Sequence, residues 1–401
     1  MTVLILDGGT RSTLAMVRSL GSHGISVHVG ESYRYSLSTF SKYCENSVTY
    51  SNPEESRQAF ISDLIHLLDK FDYEMVLASR EVTTLPLSYF KYTLEEETTI
   101  PFPPWEVMNK TVDKAKTFEL AEQIGVPTPK TYVLDDPSEL ANIESDVEYP
   151  LVVKPRSKTT WVGDTPVMMK VTEQNYVHNY DELRDSVAKI YHAVDQMPLI
   201  QEYIPGEGYG VELLCNEGES EALFMHRRLR EYPITGGAST FRESTYESRL
   251  EEPAINLMNA MGWHGVTMVE FKLDERDGTP KLIEVNGRFW GSLPLAVAAG
   301  IDFPSLLYAL YSNGSTPNTT YDVGVRSRWL LPGDVLWFLT SLIKEPNRLG
   351  TVREFSSFRE MNYDILSIDD PYPAVGAARN VIKQGTDVLR GNRNLSGEVT
   401  R

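Results

Sequence analysis

The sequence predicts an α/β protein, and three features predict it. The chain opens with an apolar run of strand length, then a glycine turn, a helix and a second strand. Apolar runs of strand length then alternate with helical segments through the middle of the chain. Two further strand patterns, Gly265 to Leu273 and Lys281 to Asn286, flank the turn-forming segment Asp274 to Pro280.

Each element follows in order. Val3 to Leu6 reads as a buried parallel strand, and Asp7, Gly8, Gly9 and Thr10 form the turn into a helix that runs to Leu20. Ser26 to Val29 returns as the second strand of a βαβ unit. The turn lacks the Gly-x-Gly-x-x-Gly spacing, so the dinucleotide fingerprint is absent. Phe60 to Lys70 has a helical period, and Glu74 to Ala78 is a further strand. The prolines at 101, 103 and 104 mark a boundary, and a new unit begins at Asn109. Val112 to Ile124 reads as a helix stopped by Gly125 and Pro127. Leu151 to Lys154 and Leu199 to Ile204 are strands ended by Pro155 and Pro205. Val211 to Leu214 and Ala222 to His226 form an antiparallel pair, and Pro294 to Leu310 is an apolar helix interrupted at Gly300 and Pro304. From Tyr321 the pattern is mixed, and residues 389–401 read as a frayed end.

Composition narrows the function classes. A chain of 401 residues has room for two or three domains. Its 41% hydrophobic and 23% charged content is that of a soluble globular protein. A formal net charge of -18 argues against a nucleic-acid partner and against an anionic membrane, since both need a basic surface. Cys44 and Cys215 are far apart and lack metal-ligand spacing, which fits a reducing cytoplasm and leaves no disulfide framework or cysteine zinc site. No basic, apolar leader pattern opens the chain, so a signal peptide is not expected. Val335 to Ile343 is apolar but too short to span a bilayer.

The hairpin carries the sharpest chemical signal. If its turn is symmetric about Asp277, Glu270 sits opposite Glu284. Val269, Phe271, Ile283 and Val285 then share one face, while Met268, Glu270, Glu284 and Asn286 share the other. Opposed carboxylates repel, and one of them should show a raised pKa unless a cation joins them. Two carboxylates and an amide oxygen suit Mg²⁺, which shares its oxygen ligands with phosphate. Lys114, near a helix start, and Lys154, ending an apolar strand, are costly placements unless an anion is close. Both therefore read as phosphate ligands. Arg156 to Gly163 supplies hydroxyls, backbone N–H groups and two more cations, and is expected to be a mobile phosphate-covering loop. Alternation from His226 onward sets Arg228 and Arg230 on one strand face, as a clamp for transferring phosphate, with Gly236 to Thr240 as a mobile substrate loop. Glu81, past the strand at Glu74 to Ala78, sits where a strand end meets substrate.

The order of these motifs resembles the ATP-grasp superfamily: Asp113-Lys114, Val153-Lys154-Pro155, the strand Ile200 to Ile204, Glu270, then Glu284-Val285-Asn286-Gly287-Arg288. Asn286 to Pro294 and Ala299 to Phe303 resemble its carboxylate–amine ligase-type members, such as D-alanine–D-alanine ligase. Biotin carboxylase and carbamoyl-phosphate synthetase share the module. The resemblance implies an N-terminal βαβ pre-ATP-grasp domain (1–107), a two-lobed ATP-grasp domain (108–315, with lobes 108–198 and 199–315) and a C-terminal accessory segment (316–401). It implies ATP and Mg²⁺, with Mn²⁺ as an alternative ion. Lys114 and Lys154 would contact the phosphates, and Gln201, Glu202, Tyr203 and Ile204 would clamp adenine. Glu207, or Gly208 beside it, would meet the ribose. Glu270, Glu284 and Asn286 would hold the metal, and Arg288 would face an anionic substrate or intermediate. The implied activity is a cytoplasmic, ADP-producing ligase joining a small-molecule carboxylate to an amine, amino acids among them, with a homodimer as a candidate assembly. A bicarbonate-activating enzyme and a non-catalytic ATP-binding subunit are the alternatives.

Overall fold

The computed structural model describes residues 2–233, 237–344, 347–356 and 361–379. The expected strand–turn–helix opening is present as β1 (Thr2–Ile5), α1 (Arg11–Ser22) and β2 (Ser26–Glu31). It continues as β3 (Asn46–Thr49), α2 (Arg57–Lys70), β4 (Tyr73–Leu77), α3 (Glu81–Tyr89) and α4 (Lys91–Leu94). The four strands form a parallel sheet in the order β3-β2-β1-β4. Parallel strands covered on both faces read as near-continuous apolar runs, as Val3 to Leu6 does.

Two helices, α5 (Trp105–Val112) and α6 (Lys114–Gln123), lead into the next unit. The boundary drawn between residues 107 and 108 lies inside α5. Then come β5 (Thr131–Val133), β6 (Leu151–Lys154), the hairpin β7 (Thr159–Val162) and β8 (Thr165–Met168), β9 (Tyr176–Val177), α7 (Tyr180–Val194) and β10 (Leu199–Glu202). Here the sheet order is β5-β10-β6-β9, and α7 packs Leu183, Val187 and Ile190 against Leu151, Val153 and Ile200.

The largest sheet has seven strands in the order β15-β14-β11-β12-β13-β16-β17. Its elements are β11 (Gly208–Asn216), β12 (Glu219–Tyr232), β13 (Ala238–Ser244), α8 (Ser248–Met261), β14 (Gly265–Leu273), β15 (Pro280–Asn286), α9 (Leu293–Ala299), α10 (Phe303–Asn313), β16 (Arg326–Arg328), α11 (Val335–Lys344), α12 (Arg348–Phe355) and β17 (Met361–Tyr363). Thus the segment after residue 316 adds two strands to this sheet. Val211, Leu213, Val269 and Phe271 pack toward α8, while Leu214, Phe224, Val266 and Met268 pack toward α1, α9 and α10. The single interrupted helix expected at Pro294 to Leu310 is two helices, α9 and α10, bent by 82° across Gly300. No single helix among the described residues is long and apolar enough to cross a membrane.

Three expectations need correction, and a fourth is untested. The segment Thr159 to Val162 is a strand, so the phosphate-covering segment is half hairpin rather than loop. The expected substrate loop begins outside the described residues, and Ala238 to Thr240 belong to β13. A register shift after Glu270 pairs Phe271 with Leu282, so buried Leu282, not Ile283, joins Val269 and Val285 in the core. The fraying expected at 389–401 falls outside the described residues.

Candidate active site

Glu270 pairs directly with Glu284, and Met268 with Asn286, as the symmetric turn requires. Gly287 follows at the strand end, where a Cβ would stand 2.4 Å from the Trp263 ring. Only glycine lets the chain pass that ring and deliver Asn286 and Arg288 to one side.

The opposed acids do not face each other bare. The Asn286 amide nitrogen donates to Glu270 Oε1 (2.9 Å) and Glu284 Oε1 (3.1 Å). Arg228 pairs with the far oxygen of Glu270 and with Glu231 (3.1 Å). The Lys158 ammonium donates to Glu284 Oε1 (2.5 Å) and Asn286 Oδ1 (3.3 Å). The expected raised carboxylate pKa is therefore absent at Glu284. Burial alone would raise it, but Lys158 and then Lys114 outweigh burial and hold it well below the carboxylate range.

The cations come from three elements. Lys114 is the first residue of α6, behind the N-cap Asp113, whose side chain accepts from the Ala115 N–H. Asp113 also takes a two-pronged contact from Arg156 (2.9 Å each), so Arg156 braces this helix start rather than covering phosphate. Burial lowers the Lys114 pKa against the pull of Glu284. Lys154, at the end of β6, donates to Gln201 Oε1 (2.6 Å), and burial pushes its pKa down to about 8. Arg288 donates to Asn286 Oδ1 (3.2 Å) and Glu81 Oε1 (3.5 Å). Glu81, the first residue of α3, is thus within the cleft, and also accepts from Thr159 Oγ1 (3.1 Å). Burial tends to raise its pKa, but Arg288, Lys158 and Lys114 bring it below normal. Glu81, Lys114, Lys158, Glu284, Asn286 and Arg288 line one small, partly open cleft, with Leu85, Met108 and Val112 as its apolar wall.

The hinge strand borders this group through Gln201, which is buried and also donates to Thr131 Oγ1 (2.9 Å). Glu202 pairs with Arg276 (2.6 Å). The Tyr203 N–H donates to the Pro150 carbonyl (3.3 Å), and the Ile204 carbonyl accepts from Lys272 Nζ (3.0 Å). Glu207 is exposed at the end of the same segment and accepts from the Tyr209 hydroxyl (3.1 Å).

Arg230 is not part of this cleft. The ladder between β12 and β13 shifts register between Arg228 and Arg230, so Leu229 is an extra residue and Arg230 turns to the other side. There it is buried, pairs with Asp334 (3.0 Å) and Glu354 (3.2 Å), and stacks on Phe241 and Trp337. It joins β12 to α11 and α12. The sequence offers Lys158 only as one of two cations in its segment, and nothing in its local pattern separates it from Arg156.

The residues fit a hard cation. Among the described residues no three His, Cys, Asp or Glu side chains converge, so the donor set is the acid pair with the asparagine oxygen. Lys158 already takes a positive charge to one carboxylate oxygen and to that amide oxygen, the two donor types Mg²⁺ prefers.

Three sheets thus bring an acid pair, an amide and several cations together. The chain carries an ATP-grasp domain: residues 195–330 match the family model "ATP-grasp in the biosynthetic pathway with Ter operon". It is similar to D-aspartate ligase of Enterococcus faecium, 20% identical over 231 residues, covering 55% of this chain and 54% of that one. The chain spans about half the length of the curated relatives it matches. Its fold is similar to the L-amino acid ligase of Bacillus licheniformis (TM-score 0.59, 20% identity, 77% of this chain and 73% of that one). It is also similar to the biotin carboxylase domain of 2-oxoglutarate carboxylase from Hydrogenobacter thermophilus, solved with MgADP and bicarbonate (TM-score 0.63, 16% identity, 81% and 73%). The ATP-grasp resemblance drawn from the ordered motifs therefore holds.

Proposed function

We propose that this protein is an ATP-dependent carboxylate–amine ligase that forms an amide through an acyl phosphate and releases ADP and phosphate. One observation carries the reading: Glu284 and Asn286 share one cleft with Lys114 and Arg288, Glu270 lies directly opposite Glu284 and carries Arg228, and the buried Lys154 feels the charge of both acids. Lys114 and Lys154 hold the ATP phosphates, Gln201 to Ile204 border the adenine, and Glu207 lies toward the ribose. Glu270, Glu284 and Asn286 would hold Mg²⁺, or Mn²⁺ in its place. When bound there, the ion neutralises charge on the phosphate oxygens.

A carboxylate oxygen of the first substrate attacks the γ-phosphorus, and the bond to ADP breaks. Arg288 and Arg228 face the charge that develops on the transferring group. The nitrogen of a neutral amine then attacks the acyl carbon. Phosphate leaves with the carbon–oxygen bonding pair, and the nitrogen releases a proton to solvent. No protein nucleophile is required, because positioning and charge stabilisation suffice. The names of the D-aspartate and L-amino acid ligases favour amino acids as substrates.

The test is ADP release with pooled carboxylates and amines. Release that needs both partners supports the ligase. Release with bicarbonate alone favours the bicarbonate-activating class that the carboxylase neighbour represents, and no release favours a binding subunit.

A further inference from the structure

The hairpin β7–β8 is held at both ends. At its base, Lys158 places its ammonium on Glu284 and Asn286, and Thr159 is fastened to Glu81 on the N-terminal sheet unit. At its tip, Asp164 sits on the start of α2. Its carboxylate accepts from Ser56 Oγ (2.5 Å) and the Gln58 N–H (3.0 Å), and its carbonyl accepts from the Arg57 N–H (3.2 Å). The Arg57 guanidinium lies over Trp161, 5.0 Å from the ring centre. A carboxylate at a 14-residue helix start is favoured by the unpaired N–H groups there. The Lys158 side chain keeps 38% of its surface exposed, so it can leave Glu284 for water without unpacking a core. Glu284 is 14% exposed and cannot.

We propose that Lys158 is a tethered stand-in cation, occupying the divalent-ion position in the nucleotide-free protein, and that the Asp164 contact on α2 holds the hairpin that carries it. The ion and Lys158 share Glu284 Oε1 and Asn286 Oδ1, so they exclude one another. Metal entry is thereby coupled to movement of the hairpin base, and the free protein does not fill its acid pair with adventitious metal. Arg228 meets the other acid from β12, a strand interior, and stays in place. This inference rests on the proposed metal role of Glu284 and Asn286.

The test uses the full chain and Mn²⁺, read by the loss of its free-ion paramagnetic resonance signal. Without nucleotide, Lys158→Met should bind Mn²⁺ at least about tenfold more tightly than wild type, whereas Lys158→Arg, which keeps the tethered charge, should stay weak. Asp164→Asn leaves Lys158 in place but loosens its support, and should tighten Mn²⁺ by about threefold and speed amide hydrogen exchange over residues 158–168. Unchanged Mn²⁺ affinity in Lys158→Met, with Mn-ADP still bound by wild type, overturns the proposal alone. Failure of wild type to bind Mn-ADP overturns the nucleotide reading and this inference with it.

Discussion

At the scale of single residues, the cleft is a balance of charges rather than a pair of strained acids. The opposition of Glu270 and Glu284 was legible in the sequence, because a hairpin turn fixes register and register fixes which side chains meet. What neutralises them was not legible, since Lys158 and Arg228 arrive from distant elements. Glu284→Gln should therefore destabilise the metal-free protein by about 1–2 kcal/mol, between the small cost of an exposed pair and the larger cost of a buried one. Urea titration at neutral pH measures this. Because the folded pKa of Glu284 is depressed, its contribution is present above the ordinary carboxylate pKa and fades as pH falls toward the folded value. The gap between wild type and Glu284→Gln should shrink in acid, and a gap independent of pH would contradict the assignment.

Lys154 makes the second residue-scale prediction. Its pKa, pushed down to about 8 by burial, lies below the 10.5 of an unfolded lysine. The folded state therefore binds fewer protons between those values, and stability contributed by this group rises with pH across that window. Its capacity to hold phosphate runs the other way, since only the ammonium attracts an anion. ADP affinity should weaken as pH rises through about 8, and Lys154→Arg should flatten that profile in calorimetry. Lys154→Ala should cost about 10–100-fold in ADP affinity at neutral pH. Equal affinity in wild type and Lys154→Ala would remove Lys154 from the phosphate site.

At the scale of elements, most strands and helices followed from period and punctuation. Leu151 to Lys154 and Gly265 to Leu273 match their strands residue for residue. Two failures have one cause. Alternation assumes an unbroken ladder, and the irregularities at Leu229 and after Glu270 each shift the strand by one position. The first sends Arg230 away from the cleft, and the second exchanges Ile283 for Leu282. Arg230 is consequently a structural residue that ties β12 to α11 and α12. Arg230→Met should lower stability by about 3 kcal/mol, because it leaves Asp334 with less charge compensation. ADP affinity should be unchanged under conditions where the variant is folded. A loss of ADP affinity with stability intact would return Arg230 to the phosphate site.

At the scale of the whole molecule, three sheets converge on one cleft. The N-terminal unit delivers Glu81, the middle unit Lys158, and β15 with the turn after it Glu284, Asn286 and Arg288. No one of these units holds the complete set. The sequence carried the order of the motifs but not their meeting point, because contacts such as Glu81 with Arg288 join residues more than two hundred positions apart. Segments with mixed composition, such as β16 and β17, were illegible because three residues are too few to show a period.

In the proposed reaction the γ-phosphoryl group passes to a substrate carboxylate before the amide forms. Supplying the substrate with ¹⁸O in its carboxylate and analysing the released phosphate by mass spectrometry tests this directly. Transfer through an acyl phosphate predicts one ¹⁸O in each phosphate released with product. Phosphate free of ¹⁸O, with ADP still formed, would mean that water is the acceptor and that the ligase account of this cleft is wrong.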